Sequence, residues 1–130
     1  MGQPAAKFGD QVVALDTHLV LVAGALPLPL PHPFSGIING AVSNNVNIMG
    51  RPAATVGSTA TNRPPHIPTP PGTAFLKPPA NQGIIQIGSR TVRINGKAAA
   101  RHGDSAITCN DPSDAHGGLV VAIGTVFIGG

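Results

Sequence analysis

The sequence predicts an all-β fold of three related units closing into a ring, and three observations carry that prediction. Runs of Val, Ile, Leu and Ala are bounded by 17 Gly and 14 Pro, a pattern of short strands and turns rather than of disorder. A six-residue motif occurs three times. The strand element that precedes its second and third copies returns, for the first copy, at the far end of the chain.

The motif A-A-x-x-G-[D/S] reads Ala5-Ala6-Lys7-Phe8-Gly9-Asp10, Ala53-Ala54-Thr55-Val56-Gly57-Ser58 and Ala99-Ala100-Arg101-His102-Gly103-Asp104. Pro4 and Pro52 stand before the first two copies and Ala98 before the third. The preceding element, V-x-I-x-G, reads Val46-Asn47-Ile48-Met49-Gly50 and Val92-Arg93-Ile94-Asn95-Gly96, with Val126-Phe127-Ile128-Gly129-Gly130 left to complete the first unit. A last strand that completes a first unit is the signature of a closed repeat array. Between these elements lie Gly36-Ile37-Ile38, the run from Gly83 to Gly88, and the run from Gly118 to Gly124. Each such run, followed by V-x-I-x-G, is expected to form a hairpin. The expected turns are Gly88-Ser89-Arg90 and Gly124-Thr125, with Asn39-Gly40 and Asn44-Asn45 competing in the first unit. The proline-rich inserts at 25–34 and 63–80 are expected to be polyproline-like surface loops.

Composition excludes several functions. The net charge of +3 comes from single, scattered Lys and Arg residues, and with no Trp or Tyr there is no basic cluster with stacking platforms for nucleic acid. One cysteine, Cys109, excludes an intramolecular disulfide framework. The aliphatic stretch 12–30 is interrupted by Asp16, His18 and alternating prolines, which argues against a membrane span. The opening residues show no secretory signal pattern. The expectation is one domain over 1–130, made without a signal peptide.

The repeat register points to a metal site. His18 lies twelve residues after Ala6 and His66 twelve after Ala54, while the matching place in the third unit, Pro112, is flanked by Cys109 and His116. Loops that converge at one end of a threefold axis would bring His18, His66, Cys109 and His116 together. Three imidazoles and a thiolate form a closed tetrahedral set suited to one structural Zn²⁺. His32, in a proline loop, and His102, in a turn the other units match with Phe8 and Val56, read as surface residues. No catalytic residue is expected. The chain has no Glu to act as general base, Asp104 and Asp111 read as turn caps, and a Cys109–His116 nucleophile pair lacks an orienting group.

Together these features resemble the PAAR-repeat family, through Pro4-Ala5-Ala6-Lys7, Pro52-Ala53-Ala54-Thr55 and Ala98-Ala99-Ala100-Arg101, the following Gly-Asp pairs and the V-x-I strands. No copy is a perfect Pro-Ala-Ala-Arg. The resemblance implies a small pointed β-cone whose broad base sits on a trimeric β-helical, VgrG-like spike, one copy per trimer. It also implies an apical zinc held by three His and one Cys, here His18, His66, Cys109 and His116. Such proteins tip the spikes of type VI secretion systems, phage tail-like particles and extracellular injection particles. The implied function is a non-enzymatic spike tip with no fused toxin, made in the bacterial cytoplasm, assembled on the particle and delivered out of the cell to puncture a target membrane. The alternatives are an adaptor that docks effector cargo onto the spike and, in another class, a zinc hydrolase.

Overall fold

The computed structural model describes residues 2–130, and among them there are strands and turns but no helix. Six strands form the body: β2 (Gln11–Leu21), β3 (Leu28–Gly40), β6 (Thr59–Asn62), β8 (Gln82–Ile85), β11 (Ser105–Thr108) and β12 (Ala115–Val121). They pair antiparallel in the order β12-β11-β8-β6-β3-β2, and a further β12–β2 pairing closes the ring. Closure removes sheet edges from the body. Below it lie three two-residue ladders: β1 (Gln3–Pro4) with β13 (Phe127–Ile128), β4 (Asn47–Ile48) with β5 (Arg51–Pro52), and β9 (Arg93–Ile94) with β10 (Lys97–Ala98). The C-terminal strand therefore completes the N-terminal unit, as the repeat register predicts. A short β7 (Ala74–Phe75) pairs with the outer part of β2.

The repeated motif is the hub of the threefold arrangement. Ala6 N–H donates to Ala100 O at 2.9 Å, Ala100 N–H to Ala54 O at 3.1 Å, and Ala54 N–H to Ala6 O at 3.0 Å, a closed cycle of three hydrogen bonds around the axis. All three alanines are fully buried. Backbones this close leave room for a methyl group and little more, which is why the motif is Ala-Ala. One residue on, the same three-residue turn recurs: the N–H of Lys7, Thr55 and Arg101 donates to Asp10 Oδ2 (3.0 Å), Ser58 Oγ (2.9 Å) and Asp104 Oδ2 (2.7 Å). Gly9, Gly57 and Gly103 carry φ of +94°, +94° and +87° within it, a conformation that glycine adopts without steric cost.

Above this hub the core contains Val12, Phe34, Ile38, Ala60, Ile85, Ala106, Val120 and Cys109. Below it Ile48, Ile94 and Ile128 form a threefold layer with Ala5, Ala53 and Ala99.

Two sequence expectations are corrected. The glycine-aliphatic runs do not pair with the V-x-I strands: β8 lies between β6 and β11, and the hairpins form instead between V-x-I and the residues after it, through Met49-Gly50 and Asn95-Gly96. Both residues of each turn have positive φ (52° and 80°; 53° and 80°), the type I′ geometry whose twist suits a two-residue hairpin. The insert at 25–34 is not a polyproline loop, because its residues from Leu28 onward belong to β3. Ten consecutive register pairs, from Gln11↔Ile37 to Val20↔Leu28, join it to β2. The pairing of β2 with β12 stops at Val13, so the β2–β3 hairpin from Leu15 to Leu21 projects roughly 20 Å beyond the ring, at about 3.4 Å per residue. The second insert is mostly loop, as expected, and forms a strap against this hairpin.

Candidate metal centre

At the root of the projecting hairpin, strand periodicity sends alternate side chains inward. On β2 these are Asp16 and His18, with Leu15 and Thr17 facing out; on β3 they are His32 and Phe34, with Pro31 and Pro33 facing out. The strap supplies His66 after Pro64-Pro65, and the segment after β11 supplies Cys109. Ligand atoms of Asp16, His18, His66 and Cys109 all lie within 4.8 Å of one another. The imidazoles of His18, His32 and His66 form a near-equilateral triangle, with ring centroids 5.1, 5.4 and 5.6 Å apart.

The hydrogen-bond inventory separates these groups. Asp16, fully buried, accepts from Thr108 Oγ1 at 2.5 Å and Cys109 Sγ at 3.4 Å, and its Oδ2 lies 2.9 Å from His66 Nε2. His32 is occupied on both sides: its Nδ1 meets Leu30 O at 2.9 Å, and its Nε2 accepts from Thr69 N–H at 3.1 Å. His18 is the exception. Among the described residues neither of its buried ring nitrogens has a hydrogen-bond partner, although Nδ1 lies 3.5 Å from Asp111 Oδ2. A buried polar atom left unsatisfied costs about 1–3 kcal/mol, so the site is built for a group that accepts the lone pair of His18.

Burial holds the imidazoles in their coordinating form and the metal-free thiol in its protonated one. It lowers the pKa of His18, against a smaller opposing effect of the Asp111 charge, and lowers that of His32 against the Leu30 carbonyl. Both rings are thereby kept neutral. Burial also pushes the Cys109 thiol up to about 11, with the Asp16 carboxylate adding to the effect. Soft sulfur, imidazole and one carboxylate, withdrawn from water, fit a divalent ion of the zinc type.

The structure thus brings together His18, His66 and Cys109 of the sequence-predicted set. It does not bring His116, which is exposed on β12, opposite Ile107 on β11. A β-bulge explains this: the β11–β12 register shifts between Ala106↔Gly118 and Ile107↔His116, so the alternation that buries Gly118 and Val120 is broken and His116 falls opposite the outward-facing Ile107. Two residues replace it near the centre. His32 is buried rather than superficial, and Asp16 is in direct contact. The available signal for both was inward alternation, Asp16-x-His18 and His32-x-Phe34, hidden in the second case by prolines that read as loop. His102 lies in an exposed turn, where its Nδ1 accepts from Ala122 N–H at 3.2 Å.

A closed six-stranded β-body on a threefold hub, with a histidine, cysteine and carboxylate cluster under its apex that could hold a metal ion, defines a small β-cone. The PAAR motif profile matches residues 30–112 of this sequence, and the chain belongs to the PAAR motif family. No curated protein matches it. Proteins of this family tip the spikes of contractile injection systems and are structural rather than enzymatic.

Proposed function

We propose that this chain is the tip of a contractile injection spike, seated by its three-ladder end on a threefold partner and stiffened at the opposite end by one zinc ion. The observation that supports the seat is the closed Ala6–Ala54–Ala100 hydrogen-bond cycle. It lets one chain present three near-equivalent ladders, ending in the Ile48, Ile94 and Ile128 layer, to a trimer. Docking of one copy per VgrG-like trimer follows from that symmetry.

For the zinc, His18, His66 and Cys109 are the common ligands, and Asp16 is the fourth on ligand-atom distances. The ion would supply a structural cross-link; a buried, filled donor set leaves no open position for a reacting water. A full donor set and a chain without Glu favour the mechanical role over a hydrolase.

The test is to mix the purified chain with the cognate spike and measure the mass of the complex. One copy per trimer is expected; three copies would contradict the threefold seat. Fusion of cargo to the flanks, away from the seat, should leave that ratio unchanged if the chain also serves as an adaptor.

A further inference from the structure

A carboxylate outside the donor cluster faces the one imidazole left without partners. Among the described residues, three buried side-chain polar atoms have no hydrogen-bond partner: both ring nitrogens of His18 and Oδ1 of Asp111. Buried polar atoms are satisfied almost everywhere in native proteins, so a deficit confined to two neighbouring side chains points to one cause. Asp111 Oδ2 lies 3.5 Å from His18 Nδ1, and the two side chains are only 4% and 1% exposed. Asp111 is not among the four residues whose ligand atoms lie within 4.8 Å of one another, so it addresses His18 rather than the centre of the cluster.

The backbone explains why Asp111 is there. The β2–β12 ladder ends at Val13, and β2 runs on without β12 through Asp16 and His18. The segment that follows β11 takes over this edge. Thr17 N–H donates to Asn110 Oδ1 at 2.6 Å, Asp111 N–H to Thr17 O at 2.8 Å, and Leu19 N–H to Asp111 Oδ2 at 2.9 Å. The residues on either side of His18 are thus pinned to the two residues that follow Cys109. Asp111 Oδ2, fixed by Leu19 N–H, keeps a second lone pair for another donor, while Lys77 Nζ stands 3.7 Å from Oδ1.

We infer that Asp111 is a positioning residue for the metal: it accepts the Nδ1 proton of His18, which holds the ring in one tautomer and leaves the Nε2 lone pair for the ion. A neutral imidazole has one N–H and one acceptor nitrogen, and the partner of the first decides which nitrogen is free to bind a metal. A ring shift of about 0.3 Å brings the pair inside the N–H···O range of about 2.7–3.2 Å. The inference rests on the reading of the cluster as a zinc site. One short segment thereby supplies the thiol of Cys109 and fixes the imidazole of His18, so the first and third units are aligned before an ion arrives.

Long-range nitrogen–proton NMR spectra of the histidine rings read the tautomer directly, and five histidines are few enough to assign. The metal-free chain at mildly alkaline pH should show His18 protonated at Nδ1, and the zinc-loaded chain should show its Nε2 bonded to the ion. Competition with a chromogenic chelator then measures zinc affinity. Asp111→Asn keeps an oxygen for Leu19 N–H and removes the charge, so it should fold as the parent does and bind zinc about tenfold more weakly, the lower end of what such a partner contributes. Asp111→Ala should lose the Nδ1–H preference as well, with affinity down by about a hundredfold. A parent His18 protonated at Nε2, or bonded to zinc through Nδ1, overturns the inference. So does parental zinc affinity in either variant, even with a lowered melting point, for Asp111 would then only clamp β2. Zinc uptake by a parent with the wrong tautomer sinks this inference alone, whereas an Nδ1–H tautomer in a parent that takes up no zinc sinks the zinc reading beneath it.

Discussion

Zinc binding should expel the proton of Cys109, and the structure sets the scale of the effect. Burial raises the thiol to about 11, so at pH 7 only about 10⁻⁴ of the metal-free protein carries the thiolate. Removing that proton costs the ion roughly 5 kcal/mol of its intrinsic affinity, at 1.36 kcal/mol per pH unit. The thiolate is the binding form, so apparent affinity rises with pH, about tenfold per unit from pH 7 toward 9. Burial keeps His18 and His32 neutral there and gives them no proton to release. Titration calorimetry at pH 7.5, in buffers of different ionisation enthalpy, should therefore count one proton released per zinc. Cys109→Ser should abolish both the proton and the pH slope, and His18→Ala should lose most of the affinity. His116→Ala, on the outer surface, should bind as the parent does. A parent proton count near zero, or one that survives Cys109→Ser, would refute the assignment of the thiolate as ligand.

The two type I′ turns give a stability test, because Asn95 suits positive φ and its side chain bonds Ser43 Oγ (2.6 Å) and Asn45 Oδ1 (2.9 Å). Asn95→Met should cost about 2 kcal/mol, which thermal unfolding reads as a melting point lower by several degrees; an unchanged melting point would remove the turn argument. In the metal-free protein, the depressed pKa values of His18 and His32 make the unfolded chain the better proton acceptor. Their contribution is complete above the unfolded value of 6.5 and is lost as pH falls below it. Denaturant midpoints of chelated protein should drop from pH 7 to 5, and a flat profile would show that these rings are not buried neutral.

The hub of this fold was legible in the sequence because it is made of local rules. Ala-Ala, a glycine at positive φ and an Asp or Ser that caps its own turn recur at fixed offsets, so the register alone located the three units and the strand that closes them. The apex was only half legible. His18 and His66 share a register and do meet, but His66 arrives on a strap and His18 on a strand, so the shared spacing was no guide to the third unit. There, distance along the chain favoured His116, while the bulge between β11 and β12 turns it outward. His32 and Asp16 were missed for a different reason. Alternating prolines deny a strand its ladder donors, so they read as loop, although on an edge strand they delete only donors that had no partner.

The divergence of the repeats explains why the donor cluster lies at the apex and not at the seat. At the seat the three units still match, and Ile48, Ile94 and Ile128 close a layer by symmetry. At the apex each unit has become something else: the first a long hairpin, the second a strap, the third a turn carrying a thiol. Unequal segments cannot interdigitate into a symmetric core, and a narrow end has little apolar area to bury. They can each contribute a donor. Asp16 and His18 come from the first unit, His66 from the second and Cys109 from the third, so one ion bound there would tie together a hairpin, a strap and a turn. Such a cross-link acts on loop-closure entropy as a disulfide does, and the single cysteine could not have supplied one. With the ion bound, the stiffness of the tip would depend on a site that requires all three units, whereas the seat depends on their likeness.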